Sequence, residues 1–386
     1  MQIDIMSFTR RGIELSAKIR DKILGEQEDY EVCLYTKYGK YQNLTGEERN
    51  TWNKQEQYAA GCKNPVYVKE SIYDWMRACF EQNRNRKKKA VIWIGACGIA
   101  VRAMAPSLRD KLTDIPVLVV DEAGQFVIPV LSGHYGGANE LAGLLAKRIG
   151  ATPVITTATD VNHAFAVDVF AKENGLWIQN KEKIAEVSSK ILDGKKIAIM
   201  TDGRVEGKIP ESVCIYDRTG CGKTDVVISA RYPVKNIPGS QIADSLWLIP
   251  RIIILGMGCK RGKSCGEIEQ FVLEILEQEQ ISIQAVTALA TIDLKKEEQG
   301  FIEFANKYGL DFLTYPKEVL KEVPGIFSGS AFVTQTVGVD NVCERAALAA
   351  CRKEESQGRL LCKKKAKDGI TLAVAGREWS VRFDET

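Results

Sequence analysis

The sequence has little of what a metal centre or a disulfide scaffold is built from. Two histidines serve 386 residues, and the 11 cysteines, an odd count, include no Cys-x-x-Cys pair. Without paired thiolates or clustered imidazoles, a dedicated transition-metal site is not expected. Cys79, Cys343 and Cys351 fall within apolar patterns, where cysteine behaves as a small hydrophobe. That usage suits a reducing cytoplasm. No apolar run approaches the ~18 residues of a membrane span, and residues 1–5 carry no basic n-region of a signal peptide. A net charge of +3 gives no global attraction for nucleic acid. Basic residues do gather at 84–89 and 363–367; each is read as a solvated helix end or loop before a buried strand.

What the chain does have is alternation of short β-branched runs with helical spacing. Residues 91–94, 117–120 and 126–130 are apolar, closed by Gly, Pro or Asp, and read as buried strands. Leu141, Leu144, Leu145 and Ile149 fall on one helical face. The short connections predict an α/β protein of several layer domains with mostly parallel sheets. Three domains are expected: residues 1–164, 165–250 and 251–386. The last boundary rests on Pro233, Pro238, Gly239 and Pro250 crowding into one segment. The third domain, about 135 residues long, is expected to fold by itself. Residues 153–160 read as a short strand ending in hydroxyls and a carboxylate.

The chemistry concentrates between residues 94 and 160. Gly95 and Gly98 follow one strand and precede a helix. Ser132-Gly133-His134-Tyr135-Gly136-Gly137-Ala138-Asn139-Glu140 follows another strand and opens the next helix. A strand, a Gly-rich turn and a helix start together present free backbone N–H groups and a positive dipole end, which suit an anion. Ligands of open α/β sheets lie at the carboxyl ends of strands, and the motif is expected there. Ser132 is not a hydrolase elbow, because Val130 and His134 stand where G-x-S-x-G needs glycine. His134, Asp121, Glu122 and Asp160 are candidates for general acid and base work. Asp121 and Glu122 also serve as possible caps, and His163 reads as a helix-start residue. Arg102 is placed to meet a carboxylate. Ser132, Gly133, Gly136, Gly137 and Asn139, with Thr156 and Thr157, are further candidate contacts.

A second Gly-rich turn, Gly256-Met257-Gly258-Cys259-Lys260-Arg261-Gly262-Lys263-Ser264, also precedes a helical pattern. Its third glycine is one residue late for G-x-G-x-x-G, and Met257 occupies the first glycine of a P-loop. A nucleotide-dependent enzyme therefore remains only an alternative. Gly256, Gly258, Arg261 and Ser264 are instead expected to hold an anion.

The stretches GACGIAVRAMAP, DKLTDIPVLVVDEAGQFVIPVLSGHYGGANELA and GATPVITTATD resemble the CbiG family, the cobalt-precorrin-5A hydrolases of anaerobic cobalamin biosynthesis. LGMGCKRGKS, ALATIDLK and VGVDNVCERAALAA resemble that family's C-terminal domain, also found as the separate protein CobE. Lys263 stands where the family usually has threonine. The resemblance implies a cobalt-containing tetrapyrrole substrate whose δ-lactone is opened by water, with a two-carbon fragment released as acetaldehyde. The cobalt belongs to the substrate, so the protein needs no cofactor of its own. The competing reading is a non-catalytic corrinoid carrier. A homodimer and contacts with other enzymes of the pathway are compatible with the sequence.

Overall fold

The computed structural model describes residues 1–24, 30–43, 65–82, 89–110, 113–162, 164–216, 224–232, 244–327, 339–352 and 358–383. The chain forms two compact units, Met1–Asn162 and His163–Thr386. Among the described residues no helix is long and apolar enough to cross a membrane. His163 and the basic residues 84–88 lie outside the described residues.

The first unit holds one sheet of seven strands. These are β1 (Gln2–Ser7), β2 (Glu31–Thr36), β3 (Val66–Tyr67), β4 (Lys89–Ile94), β5 (Val117–Val120), β6 (Phe126–Leu131) and β7 (Thr152–Pro153). Their order is β3-β2-β1-β4-β5-β6-β7. β1 to β5 run parallel, β6 opposes β5, and β7 follows β6. The central strands read as unbroken apolar runs because helices cover both faces. Ile3, Ile5, Ile92, Ile94, Leu118 and Val120 pack beneath helices Arg10–Leu24 and Ala138–Ile149. Met6, Val91, Trp93, Val117 and Val119 pack against helices Ile72–Gln82 and Cys97–Met104.

The reversal at β6 decides where the site lies. Only residues 121–125 join β5 to β6, and a parallel crossover needs roughly a dozen residues or more. Asp121 builds the hairpin. Its carboxylate accepts the N–H groups of Ala123 (3.1 Å), Gln125 (2.8 Å) and Phe126 (2.6 Å), and Gly124 takes a positive φ of 69°. Leu131 therefore lies opposite Val117, at the amino end of the parallel strands. The turn after β6 is thus on the other edge of the sheet from the one expected. Residues 153–160 also differ from expectation. Thr152–Pro153 pairs with β6, the Val154 N–H adds one bond to the Val127 carbonyl (2.9 Å), and Ala158–Val161 forms one helical turn. Pro153 has no N–H for a further ladder partner.

The second unit contains β8 (Leu176–Ile178), β9 (Ile197–Thr201), β10 (Arg204–Gly207), β11 (Val213–Tyr216), β12 (Val226–Ile228) and β13 (Leu246–Pro250). β14 (Ile253–Cys259), β15 (Val286–Ile292), β16 (Asp311–Tyr315), β17 (Gly358–Lys367), β18 (Ile370–Arg377) and β19 (Ser380–Phe383) complete it. Two five-stranded sheets run β11-β9-β12-β13-β8 and β16-β15-β14-β18-β17, and β10 pairs with β19 alone. The end of the Pro-rich segment is strand β13, between β12 and β8; residues 233–243 lie outside the described residues. Lysines 363–365 and 367 fall on β17, not on a loop, where lysine on an edge strand discourages pairing with other chains.

The parts before and after residue 250 share packing. Ala230 and Ile249 belong to the core built on Ile253, Leu255 and Phe271. β19 pairs in parallel with β10, Asn174 exchanges two hydrogen bonds with the Arg382 backbone, and Phe383 stacks on Phe170 at 4.6 Å. The C-terminal tail thus completes the structure of residues far upstream.

Candidate active site

The turn after β6 is held mainly by its own backbone. Ser132 adopts a left-handed φ of 56°, and its hydroxyl donates to the Asp114 carbonyl at 2.8 Å. The N–H groups of Ala138 and Asn139 bond back to the carbonyls of Ser132 (3.1 Å) and Gly133 (3.0 Å), and Gly137 N–H bonds to the His134 carbonyl (2.9 Å). The first turn of helix Ala138–Ile149 therefore spends these donors inside the motif. The backbone N–H groups of Gly133, His134, Tyr135 and Gly136 have no acceptor among the described residues. These remain for a ligand.

The glycines are required by packing within the turn. A Cβ on Gly136 would lie 2.6 Å from the Ser132 carbonyl oxygen, and one on Gly133 would lie 2.7 Å from Asn139 Oδ1. Gly137 needs its φ of 87°. Gly136→Ala should accordingly destabilise by about 1–3 kcal/mol, the usual cost of overpacking. Gly143→Ala, in the following helix with open space around it, should instead stabilise by about 0.5–1 kcal/mol. Urea midpoints of the two variants check the contrast; equal shifts would remove the packing argument.

His134 stands out of this turn toward residues 157–160. Its Nε2 lies 2.8 Å from Asp160 Oδ2 and 2.6 Å from Thr159 Oγ1. Asn139 Nδ2 donates to the same Asp160 oxygen (2.8 Å) and to Thr157 Oγ1 (3.0 Å). Asn139 and Thr159 are buried, while the His134 side chain keeps 15% exposure. That combination leaves the imidazole reachable while its surroundings are fixed. Asn139 Oδ1 is buried without a partner. A carboxylate holding an imidazole beside unpaired backbone N–H groups can activate water and receive an oxyanion.

The other candidates do not all join this site. Gly95, Gly98, Arg102, Asp121 and Glu122 lie at the carboxyl edge of β4 and β5. The six residues of β6 separate that edge from Ser132, about 20 Å at a strand's rise of ~3.3 Å per residue. Asp121 is engaged in the hairpin and Glu122 accepts a hydrogen bond from Thr9 (2.6 Å). Arg102 is exposed and has no ion pair among the described residues. Thr156 is exposed beside the His134 cluster. Thr159 was not singled out by sequence; its position next to Asp160 was the only available signal.

In the second unit, the turn after β14 is mostly structural. A Cβ on Gly256 would meet the Cys343 carbonyl at 1.9 Å, so this glycine admits helix Val342–Cys351. Gly258 faces Thr371, whose hydroxyl bonds to its carbonyl. Ser264 caps helix Cys265–Gln278 in a reciprocal box with Glu267. A hydrogen bond from Lys263 and others from Ser264 hold the Glu267 carboxyl down at about 2. Burial raises the Glu298 carboxyl, but Lys295 and the Gly262 N–H outweigh it and keep it lowered. Lys263 and Lys295 are thereby paired, leaving Arg261 exposed with no ion pair among the described residues. No described group of three His, Cys, Asp or Glu side chains is arranged to hold a metal.

Family models cover the chain in order. Residues 79–160 match "Cobalamin synthesis G N-terminal", 165–250 "Cobalamin biosynthesis central region" and 253–375 "Cobalamin synthesis G C-terminus". A Priestia megaterium protein named cobalt-precorrin-5A hydrolase is 35% identical over 298 residues, 74% of this chain and 78% of that one. Its Salmonella typhimurium namesake is 34% identical, over 74% of this chain and 81% of its own. The solved structure of CobE, described as a protein of the cobalamin biosynthetic pathway, is 31% identical across 33% of this chain and 92% of its own, with a TM-score of 0.32. With three family models in register and such relatives matched over most of their length, the chain belongs to the cobalt-precorrin-5A hydrolase (CbiG) family.

Proposed function

We propose that this protein hydrolyses cobalt-precorrin-5A at the turn that carries His134. The observation that supports this most is the His134–Asp160 pair at 2.8 Å beside a run of unpaired backbone N–H groups. Relatives carrying the hydrolase name give the substrate class. In this reading the neutral imidazole takes a proton from water, and the resulting hydroxide adds to the lactone carbonyl. The N–H groups of residues 133–136 receive the oxyanion. Collapse of the tetrahedral intermediate expels the C20 oxygen and opens the ring. The freed C20 oxygen then forms a carbonyl as the carbon–carbon bond joining C20 to the macrocycle breaks. The electron pair stays with the macrocycle, which takes up a proton, and C20 leaves with its methyl group as acetaldehyde, giving cobalt-precorrin-5B. Asp160 keeps the imidazole oriented and balances the positive charge it gains.

The cobalt travels with the substrate. The described cysteines are free thiols, which accords with a cytoplasmic reaction. Incubation of the full chain with cobalt-precorrin-5A and an assay for acetaldehyde tests the reading. Substrate that binds but releases no acetaldehyde would convert the protein into a corrinoid carrier.

A further inference from the structure

We infer that Thr159 is a positioning residue which decides the basic nitrogen of His134, making Nδ1 the atom that takes the proton from water. The inference deepens the hydrolytic reading and rests on it for its consequence in turnover. His134 Nε2 faces two oxygens, Asp160 Oδ2 at 2.8 Å and Thr159 Oγ1 at 2.6 Å. A neutral imidazole has one N–H and one lone pair. A lone pair on Nε2 would press against an ionised carboxylate oxygen with no proton between them. A proton on Nε2 resolves this, because one N–H can be shared between two acceptors. Nδ1 has no partner among the described residues, so it keeps the lone pair and faces no competitor.

Thr159 matters here because of where its hydroxyl comes from. It is buried and adjacent in sequence to Asp160, on the single helical turn Ala158–Val161. The two acceptors are therefore fixed together. Asn139 Nδ2 holds the pair from the other side, bridging Asp160 Oδ2 and Thr157 Oγ1. With the hydroxyl removed, Nε2 keeps a single acceptor on a carboxylate that is one-third exposed. The ring is then less restrained, and the tautomer with its proton on Nδ1 gains population. That tautomer has no lone pair where the water must be deprotonated.

Nitrogen NMR of the histidine-labelled full chain tests this, with His163→Gln used to assign the two rings. At neutral pH the His134 ring should show a protonated Nε2 and an unprotonated Nδ1. Thr159→Val should shift the ring toward a mixture of tautomers and lower kcat about tenfold, the worth of one hydrogen bond, with KM unchanged. Thr159→Ser, which keeps the hydroxyl, should restore both. A wild-type ring protonated on Nδ1 overturns the inference whatever the fate of the variants. So does a valine variant with the wild-type tautomer and kcat. Absence of acetaldehyde from the wild-type protein would remove the hydrolytic reading, while the tautomer measurement still decides the geometry.

Discussion

Replacing His134 with alanine should lower turnover by roughly 10²–10⁴-fold, the usual contribution of a general base. KM should change little, because the unpaired N–H groups of the turn belong to the backbone and survive the substitution. The fold should survive too. The turn is held by the Ser132–Asp114 hydrogen bond and by backbone bonds to Ser132 and Gly133, none of which uses the imidazole. Steady-state rates of the two proteins, with melting temperatures alongside, provide the measurement. A variant retaining most of its turnover would pass the base role to Asp160, the one candidate carboxylate in this cluster, since Asp121 and Glu122 lie at the opposite edge.

Lys89→Met should destabilise the first unit by about 3–5 kcal/mol, the cost of stranding one partner of a buried ion pair. Lys89 Nζ lies 2.6 Å from Asp4 Oδ2, with the two side chains 3% and 1% exposed. Gln2 donates to the other Asp4 oxygen at 2.9 Å. Burial, opposed by Lys89 and reinforced by Asp4, pushes the neighbouring Cys79 thiol up to about 12, so it stays neutral and cannot balance the carboxylate. In the variant, folding traps Asp4 as an uncompensated charge. The double variant Asp4→Leu/Lys89→Met should recover most of the loss, because removing both charges removes the desolvation penalty. Chemical denaturation of the three proteins checks the series. A single variant as stable as the wild type would show that water reaches the pair.

Much of the strand and helix pattern follows from local chemistry. The runs at 91–94 and 117–120 become β4 and β5 because they are apolar on both faces, and both faces are covered. The spacing of Leu141, Leu145 and Ile149 places helix Ala138–Ile149 as expected, since an amphipathic helix needs only its own periodicity. Strand β13 carries a weaker local signal. Leu246–Pro250 lies beside a Pro-rich segment, yet its proline is the last residue of the strand. β17 was hidden by its lysines, which signal an exposed edge as readily as a loop.

The sequence by itself determined where candidate chemistry concentrates: a Gly-rich turn with one histidine, Ser132–Glu140, and hydroxyls with Asp160 further along. The sequence also determines that β6 reverses, because residues 121–125 are too few for a crossover. Only the tertiary structure separated Asp121, Glu122 and Arg102 from His134, since strand direction sets the edge at which each turn emerges. It also showed that Gly133 and Gly136 lack side chains for the turn's own packing, and that the N–H groups of Gly137, Ala138 and Asn139 are spent inside the turn. Thr159 and Asn139 gained their roles in the same way. Which oxygen faces which imidazole nitrogen depends on a helical turn meeting a loop about 20 residues away, and no local propensity encodes that distance.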